Sequence, residues 1–94
     1  MINKTAIVDK NAQIHPSVKI GPYSVIGPNV KIGEDCMIAG QVGFAGSSTI
    51  GNNVSIGGQA GISGHLKIGN NVRIGGGSGV VKDIDDNQVV MGYP

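Results

Sequence analysis

The sequence is poor in the residues that usually fill a compact core, with no tryptophan, one phenylalanine and two tyrosines among 94 residues. It also has few charged residues, and its seven Lys and Arg nearly balance its six Asp and Glu. Without a basic stripe or an acidic tail, it lacks the electrostatic signature of a nucleic-acid-binding protein. It has no apolar run long enough for a membrane span and no signal-peptide core. We therefore expect a soluble, cytoplasmic single domain that binds no nucleic acid.

Glycine is abundant, with 17 residues, and it recurs in phase with the aliphatic residues. The segment 48–57 shows the unit: an aliphatic residue, a glycine, two turn formers, a small or branched residue and an outward residue. The aliphatic position recurs every six residues as Ile2, Val8, Ile14, Ile20, Ile26, Ile32, Ile38, Phe44, Ile50, Ile56, Ile62, Ile68, Ile74 and Val80. The position two residues earlier, from Ala6 to Ile84, is small or apolar throughout. Both sets are predicted to point inward.

This six-residue period predicts an all-β fold, a parallel β-helix shaped as a triangular prism of about five coils, with three hexads per coil. Residues one coil apart then stack, which predicts side-chain amide ladders between Asn53 and Asn71 and between Gln41 and Gln59. The period breaks at Asp86. We therefore expect one domain over residues 1–94, with hexad coils over 1–84 and a C-terminal cap of a different shape over 85–94.

Cysteine is limited to Cys36, so no disulfide can form within the chain. Cys36 falls in an inward column beside Val18 and Val54, which predicts a core role rather than a reactive thiol.

One face of the predicted prism is almost free of charge. Its outward residues are Ile7, Asp9, Val25, Gly27, Gly43, Ala45, Gly61, Ser63, Gly79 and Val81. Since the core is small, we expect the chain to form oligomers, and we place the subunit interface on this face.

Four segments go beyond a generic hexad: Met37–Ser47 (MIAGQVGFAGS), Gly58–Gly69 (GQAGISGHLKIG), Ser78–Ile84 (SGVVKDI) and Val90–Pro94 (VMGYP). They resemble the UDP-3-O-acylglucosamine N-acyltransferases of lipid A biosynthesis, and residues 1–35 are similar to the opening coils of the same family. The resemblance implies a homotrimer of left-handed β-helices. It also implies transfer of a hydroxyacyl chain from acyl carrier protein to the 2-amino group of a UDP-glucosamine derivative, with no metal or other cofactor.

The sequence departs from that family where the chemistry is carried. The family's general base lies in an Ala-His-Asn segment, whereas here Asp35 runs directly into Cys36 and no such segment occurs. The family's N-terminal uridine-binding domain and C-terminal helices are not matched either. We therefore predict a minimal scaffold, engineered or shortened, without efficient catalysis. The alternatives are an active N-acyltransferase that uses His65 as its base and a binding module that keeps the acyl-chain groove and the carrier-protein contacts.

His65 is the best candidate site residue, because it matches a histidine in the family's Gly-His segment and is predicted to contact substrate. Eighteen-residue stacking predicts Ser47 one coil below it and Asp83 one coil above. A Ser-His-Asp arrangement would suggest a hydrolase, but the sequence offers no nucleophile elbow.

The remaining polar candidates are interpreted as surface residues. His15 is predicted to be a solvated histidine, and it lies on a different corner from His65, so metal-ligand spacing is absent. Asp83, Asp85 and Asp86 could form a weak cation site, but we expect them to solvate the end of the repeat.

Overall fold

A computed structural model describes residues 1–92, and all of their regular secondary structure is β-strand. Each strand has two residues, the first pointing outward and the second inward. The strands are β1 Ile7–Val8, β2 Gln13–Ile14, β3 Lys19–Ile20, β4 Val25–Ile26, β5 Lys31–Ile32, β6 Met37–Ile38, β7 Gly43–Phe44, β8 Thr49–Ile50, β9 Ser55–Ile56, β10 Gly61–Ile62, β11 Lys67–Ile68, β12 Arg73–Ile74, β13 Gly79–Val80 and β14 Val89–Val90. No helix long and apolar enough to cross a membrane occurs in residues 1–92.

Successive strands join three different parallel sheets, which form the faces of a prism of 30 × 21 × 20 Å. The glycine face consists of β1, β4, β7, β10 and β13, the lysine face of β2, β5, β8 and β11, and the mixed face of β3, β6, β9, β12 and β14. Ile7 pairs with Val25 and Gln13 with Lys31, so one coil takes eighteen residues as predicted. The fold is a left-handed parallel β-helix of about five coils, which confirms the predicted fold class.

The predicted inward columns form the core. Val8, Ile26, Phe44, Ile62 and Val80 are paired in register behind the glycine face, and equivalent columns lie behind the other two faces. From Val18 to Val80, nearly every inward aliphatic residue is buried. β-branched side chains dominate because a flat, fully covered pleated surface favours them.

The corners depend on residues in the left-handed backbone conformation. In every corner from the second to the fourth coil, one non-glycine residue has a φ between 55° and 63°. This conformation turns its N–H along the prism axis. In the third and fourth coils this N–H donates to a carbonyl in the coil below, as from Asn53 to Glu34 at 2.8 Å, and Tyr23 and Asp35 in the second coil donate to the hydroxyls of Thr5 and Ser17. Asparagine tolerates left-handed backbone better than most residues, which accounts for Asn29, Asn53 and Asn71 at these positions.

Both predicted amide ladders are present. Asn53 Nδ2 donates to Asn71 Oδ1 at 2.7 Å, and Gln59 Nε2 donates to Gln41 Oε1 at 3.0 Å. The asparagine ladder continues to Asn87, which accepts from Asn71 at 3.1 Å.

The residues after Val80 form a further coil instead of the expected cap of a different shape. Ile84 bridges Ile68, and β14 pairs in parallel with β12, so these partners are sixteen residues apart. The corner after β13 has therefore lost two residues, and the chain then resumes the six-residue period. Ile84 consequently occupies an aliphatic position rather than the small position assigned from the sequence. Tyr93 and Pro94, the end of the predicted cap, lie outside the described residues.

Polar side chains at the small inward position connect successive coils. Ser24 Oγ donates to Ala39 O at 2.8 Å and accepts from Val42 N at 3.3 Å, and Ser48 makes the equivalent pair of bonds. Cys36 follows the same rule, with Sγ 3.1 Å from Gly51 O and 3.5 Å from Val54 N. The thiol is buried and free, which confirms its core role.

Since Cys36 bonds as the serines do, Cys36→Ser should preserve both contacts and change the free energy of unfolding by less than about 1 kcal/mol. Cys36→Ala should cost about 1–3 kcal/mol, because it leaves a cavity and removes both contacts. Urea denaturation followed by circular dichroism measures the difference. Equal stability of the two variants would contradict the bridging role.

Burial raises the pKa of the Cys36 thiol above its ordinary value. The folded chain therefore holds this proton more tightly than the unfolded chain does. The resulting stability is complete below about pH 8.5 and is lost as the pH rises through the folded pKa. Between neutral pH and about pH 10, the urea midpoint of the wild-type chain should fall further than the midpoint of Cys36→Ser does. An identical fall in both would contradict this expectation.

Candidate functional site

His65 lies at the corner between β10 and β11, where the chain passes from the glycine face to the lysine face. Its φ is 61°, and its backbone N–H donates to Gly46 O in the coil below at 3.0 Å. The imidazole is exposed, and the structure shows no side-chain hydrogen bond to it within residues 1–92. His65 is therefore accessible to a ligand, but no neighbouring carboxylate or hydroxyl orients it.

Ser47 and His65 occupy equivalent corner positions in successive coils, as predicted, with φ values of 55° and 61°. Asp83 does not continue this column, because the corner above His65 is the one shortened by two residues. The Asp83 carboxylate instead accepts from the backbone N–H of Lys67 at 2.8 Å. Of the predicted trio, the structure brings together only Ser47 and His65 as stacked corner residues, so a relay through Asp83 is not formed.

His15 is exposed, as predicted, but its ring has a definite partner. Its Nδ1 accepts from the backbone N–H of Ser17 at 3.1 Å and lies 2.8 Å from Ser17 Oγ. The sequence analysis missed this contact. A hydrogen-bonding residue two positions after a polar turn residue is the signal that could have revealed it.

Near the end of the repeat, Asp83 and Asp86 accept hydrogen bonds from backbone amides. Asp86 Oδ1 accepts from Asn70 N at 2.7 Å, so it continues the stacked corner in the way Asn70 does for Asn52. No group of three histidine, cysteine or acidic side chains that could hold a metal ion occurs within residues 1–92.

The glycine face carries a shallow groove of about 480 Å³. Gly43, Gly61 and Gly79 form its floor, and Val25 and Val81 bound it below and above. Val25 is 45% exposed and Val81 59% exposed. An open apolar strip thus runs along the face on which the subunit interface is predicted.

Glycine at the floor of this groove is not explained by the chain itself. A Cβ added to Gly43 or Gly61 would meet no atom within 4 Å, and neither residue has a positive φ. At Gly21, by contrast, a Cβ would come within 2.7 Å of the Ala39 backbone, which accounts for that glycine within one chain. Gly43 and Gly61 leave space that only a molecule outside the chain could use.

The repeat is matched by a known family and by solved structures. The bacterial transferase hexapeptide model, with six repeats, matches residues 11–46 and 47–82. The chain is similar to native serine acetyltransferase 1 from Entamoeba histolytica, with 28% identity and a TM-score of 0.84 over 92% of this chain and 38% of that chain. It is also similar to serine acetyltransferase from Neisseria gonorrhoeae in complex with serine, with 27% identity and a TM-score of 0.69 over 94% and 37% of the two chains.

A third match shows the fold alone. A mutant of perosamine N-acetyltransferase from Caulobacter crescentus, in complex with CoA and GDP-perosamine, is 21% identical with a TM-score of 0.61 over 97% of this chain and 52% of that one. The chain spans 37–52% of the length of these three proteins. No curated protein matches the sequence. The family model covers both halves of the repeat, and the chain therefore belongs to the bacterial transferase hexapeptide family.

Proposed function

We propose that the chain is a homotrimeric acyltransferase-like scaffold that assembles through its glycine face and does not catalyse efficient acyl transfer. The observation that carries the assembly is the open space at Gly43 and Gly61, which no atom of the same chain fills. A neighbouring subunit that approaches the sheet closely accounts for these glycines, because any side chain there would hold it away.

The distribution of charged residues also supports assembly through the glycine face. Beyond the first coil, the corner between the mixed and glycine faces carries no charged residue, and Tyr23, Gln41 and Gln59 lie along it. The lysine face exposes Lys31 and Lys67. The glycine face and its uncharged corner therefore offer two adjoining surfaces that can meet without burying an unpaired charge.

The size of the prism supports a ring rather than a pair. With extents of 30 × 21 × 20 Å, one face covers roughly 600 Å², less than the roughly 800 Å² per partner of a standard interface. In a closed ring each copy uses two different surfaces, which about doubles the area that it buries. Three copies form the smallest such ring.

Gly61→Lys should convert the trimer to a monomer, because it places a long cation on the groove floor. Sedimentation equilibrium should show the mass fall from three times 9.5 kDa to 9.5 kDa, with an unchanged circular dichroism spectrum. The matched control is Thr49→Lys, at the equivalent outward strand position on the lysine face, which should remain trimeric. A Gly61→Lys variant with wild-type mass would contradict the proposal.

Acyl transfer is the second candidate, and the similarity to serine acetyltransferase favours it. The proposal of weak catalysis is supported by the exposed His65, which has no side-chain partner in residues 1–92 to orient it as a base. The sequence also passes from Asp35 to Cys36 without the acyltransferases' Ala-His-Asn segment, and β5 and β6 keep the hexad phase across this join. This continuity supports the interpretation of a shortened or engineered member in which His65 is at most a substrate contact.

Thiol release should stay at background when the trimer is incubated with a hydroxyacyl carrier-protein thioester and UDP-3-O-acylglucosamine, or with acetyl-CoA and serine. His65→Asn, which suits the left-handed corner, should leave both the rate and the fold unchanged. Turnover that falls at least about tenfold in His65→Asn would instead establish His65 as a base and the chain as an active acyltransferase. His15→Asn is the control for loss of a surface histidine.

A further inference from the structure

The first coil turns its corners differently from the coils above it. Each corner of the second to fourth coils has a residue in the left-handed conformation. Such a residue can donate its N–H to the coil below, as Tyr23 does to Thr5 Oγ1 and His65 to Gly46 O, both at 3.0 Å. Thr5, Asn11 and Ser17 occupy the equivalent positions of the first coil, and none of them has a positive φ.

The amides of these residues are bound locally. Asn3 Oδ1 accepts from Thr5 N at 3.0 Å, Asp9 Oδ1 from Asn11 N at 2.8 Å, and His15 Nδ1 from Ser17 N at 3.1 Å. The next residue at each corner donates to the carbonyl of Asn3, Asp9 or His15 at 3.0 Å. Every corner of the first coil thus closes on itself with a polar side chain.

These three side chains occupy a position that the second coil fills with glycine. Gly21, Gly27 and Gly33 follow the inward aliphatic residue there, as Asn3, Asp9 and His15 do in the first coil. Side chains fit at this position in the first coil because its corners contain no residue in the left-handed conformation. At all three corners, the residue that replaces glycine is therefore also the one whose side chain accepts the local hydrogen bond.

We infer that Asn3, Asp9 and His15 form an end cap that prevents another coil from pairing beneath the first one. Exposed strand edges invite end-to-end pairing, and proteins block them by removing or redirecting edge groups. In a regular coil, the three corner amides would point toward the coil below, and here they are bound to side chains of their own corners. The second copy excluded in this way is one stacked along the axis, a contact unrelated to the proposed trimer at the side of the prism.

The test is a triple variant with Asn3→Gly, Asp9→Gly and His15→Gly. Hydrogen exchange of the Thr5, Asn11 and Ser17 amides should accelerate by at least about tenfold, because each loses its acceptor. Light scattering should show species larger than the wild-type assembly that increase with concentration. A variant with Asn3→Asp, Asp9→Asn and His15→Asn keeps an acceptor at each corner and should behave as the wild-type chain does.

Lys4→Gly with Lys10→Gly is the control for added flexibility, because it places glycine in the same turns without removing an acceptor. If the triple glycine variant does not fold, Asp9→Gly is compared with Asp9→Asn by the same two measurements at the Asn11 corner. Wild-type exchange rates in a folded glycine variant, or faster exchange without larger species, would overturn the inference.

Discussion

The structure depends on the hydrogen bonds that run along the prism axis at its corners. Two-residue strands provide few ladder bonds each, so the coils would be poorly held together if the corners contributed none. Left-handed residues such as Asn53 and Asn71 extend the ladder around each bend by directing a backbone N–H to the coil below. Buried polar side chains such as Ser24 and Cys36 add bonds from the inside of the same bends. Strands and corners together therefore hold each coil to the next.

The sequence predicted most of this architecture because one period determines both the strand positions and the stacking. Once Ile50 and Ile56 define the phase, the inward columns follow arithmetically, and so do the partners of Asn53 and Gln41. Local pattern and tertiary contact coincide in a solenoid, since each coil touches only its neighbours. Few other folds make tertiary contacts so directly readable.

The structure differs from the sequence-based predictions where the six-residue period is broken or where local hydrogen bonds are added to it. The shortened corner after Val80 could not be read from the hexad, because Ile84 fits an inward position whether or not two residues are missing. This shift separates Asp83 from His65, so the candidate site changed although the fold did not. The local bonds of Asn3, Asp9 and His15 were missed for another reason. These residues share one position of the hexad, but each bond joins residues only two apart, and the stacking of coils does not predict such a bond.

The shortened corner shows how the fold tolerates changes in chain length. Two residues are missing after Val80, yet Ile84 and Val90 again lie over inward residues of the coil below. This corner thus absorbs a deletion by itself, and the following strand recovers its register from the coil beneath. A change in chain length at this vertex of the triangle leaves the pairing of the flat faces on either side intact.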